Sequence, residues 1–176
     1  HAIAPETGAL VWQTQVGRGG IQGGIHFGMA AAGERLFVPI SDMADGRSYP
    51  FPDRPGMHAL DLNTGTLLWS TLHEDQCLGR AFCHPGISQV PTVVGDVVVA
   101  GAMDGWVRAY DKVNGDVVWS LDTTKAYTTN TAEEARGGSL GGAAGPVAGA
   151  GTVLISSGYG IYNHMPGNLL LALALD

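Results

Sequence analysis

The sequence predicts an all-β chain built from repeated four-stranded units, the blades of a β-propeller. Three observations carry the prediction. A hairpin motif recurs at blade period, each copy ends on a Trp at the same place, and no segment has a helical hydrophobic period. The motif reads A-x-D-x-x-T-G-x-x-x-W. Its copies are AIAPETGALVW (Ala2 to Trp12), ALDLNTGTLLW (Ala59 to Trp69) and AYDKVNGDVVW (Ala109 to Trp119), and a further one starts at Ala174, Leu175 and Asp176. The tryptophans therefore recur about every fifty residues, the length of a propeller blade. A generic β-sandwich has no reason to repeat a Trp hairpin at that period.

The elements follow in order. Residues 1–16 are expected to supply the outer strand of a preceding blade, 17–73 a blade, 74–123 another, and 124–176 an incomplete blade. In each motif Asp61 or Asp111 ends a strand, and Gly65 or Gly115 takes the positive φ of a tight turn. The next strand, TLLWS or DVVWS, sends Trp69 or Trp119 inward as an aromatic anchor, with Trp12 in that role in the first copy. Ala4 stands where Asp is expected in the first copy, and Asn114 replaces Thr in the third; a turn accepts both. Between hairpins lie two further strand-like runs: ISQVPTVV then DVVVAGA, joined at Val94–Gly95, and GGAAGPVAG then TVLISSG. Asp104–Gly105 reads as a type I′ turn. TTNTAEEARGG (Thr128 to Gly138) has room for a helical turn, and LLLALAL near the end reads as a buried strand, too short to span a bilayer. SDMADGRSYPFPDRPGM is a long Pro-rich insertion between strands. Closing a propeller takes at least about four blades, so the chain is expected to be part of a larger ring with unpaired strand edges.

Composition narrows the function. The 176 residues suffice for one core, and the formal net charge is -7. No run of Lys or Arg is present, which argues against a nucleic-acid partner or an anionic membrane surface. There is no signal-peptide pattern. The glycine-rich stretches lack the G-K-[ST] of a phosphate loop, and no G-x-S-x-G nucleophile elbow is present.

The repeated hairpin resembles the tryptophan-docking motif of quinoprotein dehydrogenases, eight-bladed propellers that hold pyrroloquinoline quinone (PQQ) at the centre. GISQVPTVVGDVVVAGAMDGWVRAYDKVNGDVVW resembles the late blades of quinoprotein alcohol dehydrogenases. GGIHFGMAAAGERLFVPISD, PGMHALDLNTG, CLGRAFCHPGIS, ARGGS and SGYGIYNHMPGN stand in the order seen in polyvinyl-alcohol-dehydrogenase-like proteins. The resemblance covers nearly the whole chain. It implies the C-terminal part of a PQQ propeller, about three of eight blades, that oxidises secondary alcohol groups such as those of polyvinyl alcohol. It also implies Ca²⁺ beside PQQ, a periplasmic or secreted location, and electron transfer to a cytochrome c whose haem belongs to a domain absent from this chain. PQQ-like propellers without PQQ act as binding or assembly scaffolds, and this is the competing reading.

Propeller ligands sit at one mouth of the central channel, held by inner strands and adjoining loops. In GGIHFG, Phe27 would stack on a quinone and His26 would hydrogen-bond it, or the glycines simply pack an inner strand. In CHPGISQ, His84, Ser88 and Gln89 would face the cofactor, or His84 caps the turn at Pro85–Gly86. In EEARGGS, Arg136 is the leading cofactor ligand, because a guanidinium forks onto the carboxylates of PQQ, with Ser139 nearby. Its competing role is an ion pair with Glu133, Glu134 or another surface acid. SGYGIYNHMPGN carries Tyr159, Tyr162, Asn163 and His164, and reads as a loop over the mouth or an ordinary loop. Tyr49 and Phe51 of the insertion would meet an aliphatic polymer. Asp42, at a strand end, reads as a metal ligand or as the commoner turn former. No catalytic base is assigned, and the Ca²⁺ ligands stay unknown.

CLGRAFCH looks like a haem-attachment site, but five residues separate Cys77 from Cys83 where C-x-x-C-H needs two. The spacing of His73, Cys77, Cys83 and His84 does not match ordinary zinc fingers. In the periplasmic setting that the resemblance implies, Cys77 and Cys83 form a disulfide that positions HPGIS; free thiols are the alternative.

Overall fold

The computed structural model describes residues 1–131, 133–160 and 162–174. The strands β1 (Ala2–Ile3) and β2 (Leu10–Trp12) form a hairpin. A four-stranded meander follows: β3 (Ala30–Ala32), β4 (Arg35–Ile40), β5 (Gly56–Asp61) and β6 (Leu67–Leu72). The short β7 (Ser88–Gln89) precedes a second meander of β8 (Thr92–Val94), β9 (Val97–Gly101), β10 (Trp106–Asp111) and β11 (Val117–Asp122). Then come a hairpin of β12 (Ala126–Thr128) and β13 (Glu134–Arg136), and β14 (Gly141–Gly142), which pairs in parallel with β7. The last sheet is β15 (Val147–Gly149), β16 (Thr152–Ser157) and β17 (Leu169–Ala174). All other described strand pairs are antiparallel, and β8 lies against both β3 and β15, so successive sheets meet along their first strands. The chain is all-β, and its sheets are propeller blades.

The turn chemistry explains the motif. Asp61 Oδ1 accepts hydrogen bonds from the backbone N–H of Asn63 and Thr64, and Asp111 Oδ1 does the same for Val113 and Asn114. Gly65 and Gly115 close these turns at φ 72° and 81°.

Trp12 and Trp69 are each seated on the turn of the following repeat. Trp12 packs on Gly65, where an added Cβ would meet the indole at 2.5 Å, and its Nε1 donates to the Leu62 carbonyl at 3.1 Å. Trp69 packs the same way on Gly115 and donates to the Lys112 carbonyl. Thr14 and Thr71 add hydroxyl donors to the Gly65 and Gly115 carbonyls, each at 2.6 Å. Trp69 is accordingly buried, at 9% exposure, within a core of Phe37, Met57, Ile87, Val98 and Tyr110. Trp119 departs from the inward anchor expected, at 41% exposure. No described residue supplies the turn it would meet, and Leu175 and Asp176, which continue the next motif copy, lie outside the described residues.

Three further expectations change. Thr128 to Gly138 begins within the β12–β13 hairpin in place of a helical turn: Thr128 ends β12, after Tyr127, as β-branched and aromatic residues prefer, and Glu134–Arg136 form β13; Ala132 lies outside the described residues. At Asp104–Gly105 only Gly105 has positive φ, at 86°, so the turn is not type I′. Along β17, Leu169 is buried but Leu170 is 68% exposed, because the strand lies at the edge of its sheet and alternates.

Cys77 and Cys83 are joined in a disulfide. Leu78 and Phe82 within this loop have left-handed φ of 52° and 62° and expose their side chains. Closing so short a loop stabilises by about 2 kcal/mol in the chain-entropy account. Reduction with dithiothreitol should therefore lower the urea midpoint by that equivalent; an unchanged midpoint would show that the crosslink contributes nothing.

Candidate functional site

The inner edge of the blades is marked by the β7–β14 ladder, where Ser88 is the register partner of Gly141 and Gln89 that of Gly142. His26 stands before β3 as Ser88 stands before β8, at the same distance from the first strand of each meander. The two positions touch across the blade boundary, with His26 Nδ1 and Ser88 Oγ 2.7 Å apart. The Phe27 ring stands edge-on to the imidazole at 6.1 Å between centroids. The other ring nitrogen of His26, Nε2, is buried and has no partner.

A second imidazole reaches the same rung from the far loop. The His164 ring covers Gly141, where a Cβ would meet it at 2.5 Å, and it also packs on Gly160. Its Nδ1 is likewise buried and unpartnered. Burial lowers the pKa of both rings. At His26 the charge of Asp42 and the backbone of Gln22 oppose that effect, and at His164 the charge of His26 adds to it. Both rings are therefore neutral at pH 7, each with one N–H and one lone pair.

Asp42 organises the loop beneath His26. Its side chain is buried, and its oxygens accept backbone hydrogen bonds from Arg18 (2.7 Å), Gly19 (3.2 Å), Gly24 (2.8 Å) and Arg54 (3.0 Å). Burial pushes this carboxyl up, but the four donors outweigh it and hold the pKa below the usual carboxylate range. Asp42 thus ties residues 18–24 and the Pro-rich insertion to the end of β4, a structural role in place of the metal-ligand one. Arg18, stacked over Tyr49 at 4.4 Å, donates to the Met43 carbonyl. Among the described residues no group of three or more His, Cys, Asp or Glu is arranged to hold a metal ion.

The other sequence-derived residues fall in different places. His84 caps its own turn: Gly86 N–H donates to His84 Nδ1 at 3.0 Å, and burial lowers the ring's pKa. Gln89 is fully engaged, accepting from Gly101 N–H and donating to the Ala144 carbonyl. Ser139 donates to the Met103 carbonyl and accepts from Met165 N–H, pinning the His164 loop to the neighbouring blade. Arg136 has a 60% exposed side chain paired with Glu134 at 3.0 Å, and none of its hydrogen bonds reaches His26, His84 or Ser88. The structure thus joins His26, Phe27 and Ser88 with His164, and leaves Arg136 apart.

Sequence reading missed the polar core under the site. His73 Nδ1 donates to the Pro85 carbonyl at 2.6 Å, which leaves Nε2 to accept from Tyr110 OH at 2.6 Å. Burial takes the His73 pKa down to about 3. A histidine whose folded pKa lies below its unfolded value stabilises fully above about pH 6.5 and loses that contribution as pH falls toward the folded value. His73 alone should thus cost on the order of 3 kcal/mol between pH 6.5 and 4.5. Buried His58 and half-buried His26, His84 and His164 act in the same direction. Urea midpoints should fall over this range, and less so in His73→Gln; a flat profile would contradict the neutral buried ring.

Residues 1–161 match the PQQ_2 family profile, described as outer membrane protein assembly factor BamB. The chain belongs to the PQQ_2 family. This PQQ_2 chain is 36% identical over 188 residues to a polyvinylalcohol dehydrogenase from a Pseudomonas species, and 35% identical over 192 residues to one from a Sphingopyxis species. Each alignment covers 100% of this chain and 29% of the relative, so the chain spans less than a third of the length of these proteins. Among solved structures it is similar to a quinohemoprotein alcohol dehydrogenase of Pseudomonas putida, at TM-score 0.53 and 20% identity, over 86% of this chain and 21% of that one. It is also similar to BamB of Moraxella catarrhalis, at TM-score 0.50 and 18% identity, over 75% of this chain and 34% of that one. At these identities the two structures establish the propeller fold.

Proposed function

We propose that this chain is part of a PQQ-dependent alcohol dehydrogenase propeller that oxidises secondary alcohol groups such as those of polyvinyl alcohol. The carrying observation is the likeness to polyvinylalcohol dehydrogenases along the full length of the chain. On this reading residues 17–73, 74–123 and 124–176 belong to successive blades, following the outer strand in 1–16. The protein works in the periplasm or outside the cell and passes electrons to a cytochrome c.

On this reading His26, Phe27 and Ser88 would lie along one edge of the cofactor. The supporting geometry is the contact of His26 with Ser88 at the blade boundary and the His164 ring lying over Gly141, the register partner of Ser88. PQQ, when bound, supplies a quinone that accepts hydride from the alcohol carbon. The chain's part is to hold and orient: Ser88 fixes the His26 ring, Asp42 fixes the loop under it, and Phe27 stands edge-on to the imidazole. A calcium ligand is not assigned to these residues.

The test is PQQ-dependent dye reduction by the full-length protein with polyvinyl alcohol and with a small secondary alcohol. Activity with added PQQ and none without it supports the dehydrogenase. A second reading, a scaffold without PQQ, draws on the BamB-like fold. It predicts that the full-length protein neither binds PQQ nor reduces the dye.

A further inference from the structure

Two loops carry exposed apolar side chains at one end of the first meander. The insertion, residues 41–55, joins β4 to β5, and the disulfide loop, residues 73–87, joins β6 to β7. Gly56 is the register partner of both Ile40 and Leu72, so the two loops leave the same end of the sheet. His73 N–H donates to the Pro55 carbonyl at 2.9 Å, which ties the end of one loop to the start of the other. Burial lowers the pKa of His84, and the charges of Asp53 and Asp75, one from each loop, oppose it, so both loops flank one imidazole. Each loop also leads into the candidate site. Asp42 ties the insertion to the loop of His26, and the disulfide loop runs directly into Ser88.

Phe51 and Phe82 are each more than half exposed, and Leu78 is 93% exposed. The disulfide loop is built to hold its two apolar residues outward. Leu78 and Phe82 sit at φ 52° and 62°, a region that bulky residues rarely adopt, and the crosslink joins the two ends of the segment that carries them. Arg80, between them, donates to the Cys77 carbonyl, to Thr124 Oγ1 and to the Asp104 carbonyl, which fastens the loop to the next blade.

We propose that Phe51, Leu78 and Phe82 form a docking surface for the alkyl backbone of a polyalcohol, which rests on the dehydrogenase reading above for the polymer's identity. Polyvinyl alcohol alternates methylene groups with carbons that bear neutral hydroxyls. The apolar tips take the methylenes, and the exposed carboxylates of Asp53 and Asp75 accept hydrogen bonds from the hydroxyls. The core of a protein interface is depleted in Asp and Glu, whereas here a carboxylate stands on each loop that carries the tips. A neutral, hydroxyl-rich chain suits that mixture better than a protein partner does.

The test is retardation of the full-length protein in native gels that contain polyvinyl alcohol, a measurement that needs no PQQ, with circular dichroism to confirm folding. The double variant Leu78→Asn with Phe82→Asn removes the apolar tips while Asn still accepts the left-handed backbone. It should bind the polymer about fivefold or more weakly, the loss of apolar contact area. Phe82→Leu keeps an apolar tip and should retain most of the affinity. In PQQ-dependent dye reduction the double variant should raise KM for the polymer much more than KM for a small secondary alcohol. Wild-type retardation of the double variant, or equal KM changes for the two substrates, overturns the surface and leaves the dehydrogenase reading intact. Unchanged polymer binding with impaired reduction of cytochrome c also overturns it and assigns the tips to a protein partner. A wild type that the polymer does not retard overturns it as well. Weaker retardation of the double variant in a protein without PQQ-dependent activity upholds the surface and overturns the dehydrogenase reading alone. If the double variant fails to fold, Phe51→Ser, on the other loop, decides the matter by the same gel.

Discussion

Trp69→Ala should destabilise the protein by about 3–5 kcal/mol, the range for truncating a large aromatic in a packed core. Trp69 is 9% exposed and joins two repeats: it lies beside Phe37, tilted by 38°, within its own blade and rests on Gly115 of the next. Its removal therefore opens a cavity between blades and strands the Lys112 carbonyl. Trp119→Ala is the matched control, because Trp119 sits in the same motif but is 41% exposed. It should cost clearly less in this chain. Equal losses at the two positions, measured by urea denaturation, would show that the docking on the following turn contributes nothing.

Arg108→Ala should cost a similar 3–5 kcal/mol, for a different reason. Arg108 meets both oxygens of Asp104, at 3.2 Å and 2.6 Å, and the two side chains are 8% and 0% exposed. Removing the cation leaves a carboxylate buried without its counter-charge, which is the expensive half of any buried pair. The double variant Arg108→Ala with Asp104→Ala should recover part of the loss, so the mutant cycle has a favourable coupling. Additive losses would mean that the pair acts only as filler.

Much of the fold was legible because the motif is local. Asp61, Gly65 and Trp69 lie within one hairpin, so their spacing reports a turn and a strand directly. The partner of each Trp was not legible. It lies one repeat away, and the sequence of a hairpin does not say which neighbour it packs on. Trp119 was read inward by analogy with Trp69, yet burial depends on a turn that no described residue supplies. Asp104 read as turn chemistry because Asp–Gly is a common hairpin pair, whereas its carboxylate is taken by Arg108 across the turn.

The site was partly legible for a related reason. Glycines around His26 and before Ser88 marked backbone that packs closely, and both residues do meet at the blade boundary. His164 stood in a Gly-rich loop with nothing to tie it to Ser88, because the link runs through the β7–β14 register. Arg136 looked chemically apt for a carboxylate, but an exposed strand end with Glu134 beside it offers an easier partner. Asp42 could not be ranked from sequence, since its four donors come from backbone in two loops.

The most direct measurement is an experimental structure of the full-length protein with PQQ bound. The account predicts PQQ at the inner edge of the blades, beside His26, Phe27 and Ser88. PQQ bound away from these residues, or no PQQ bound at all, would contradict it.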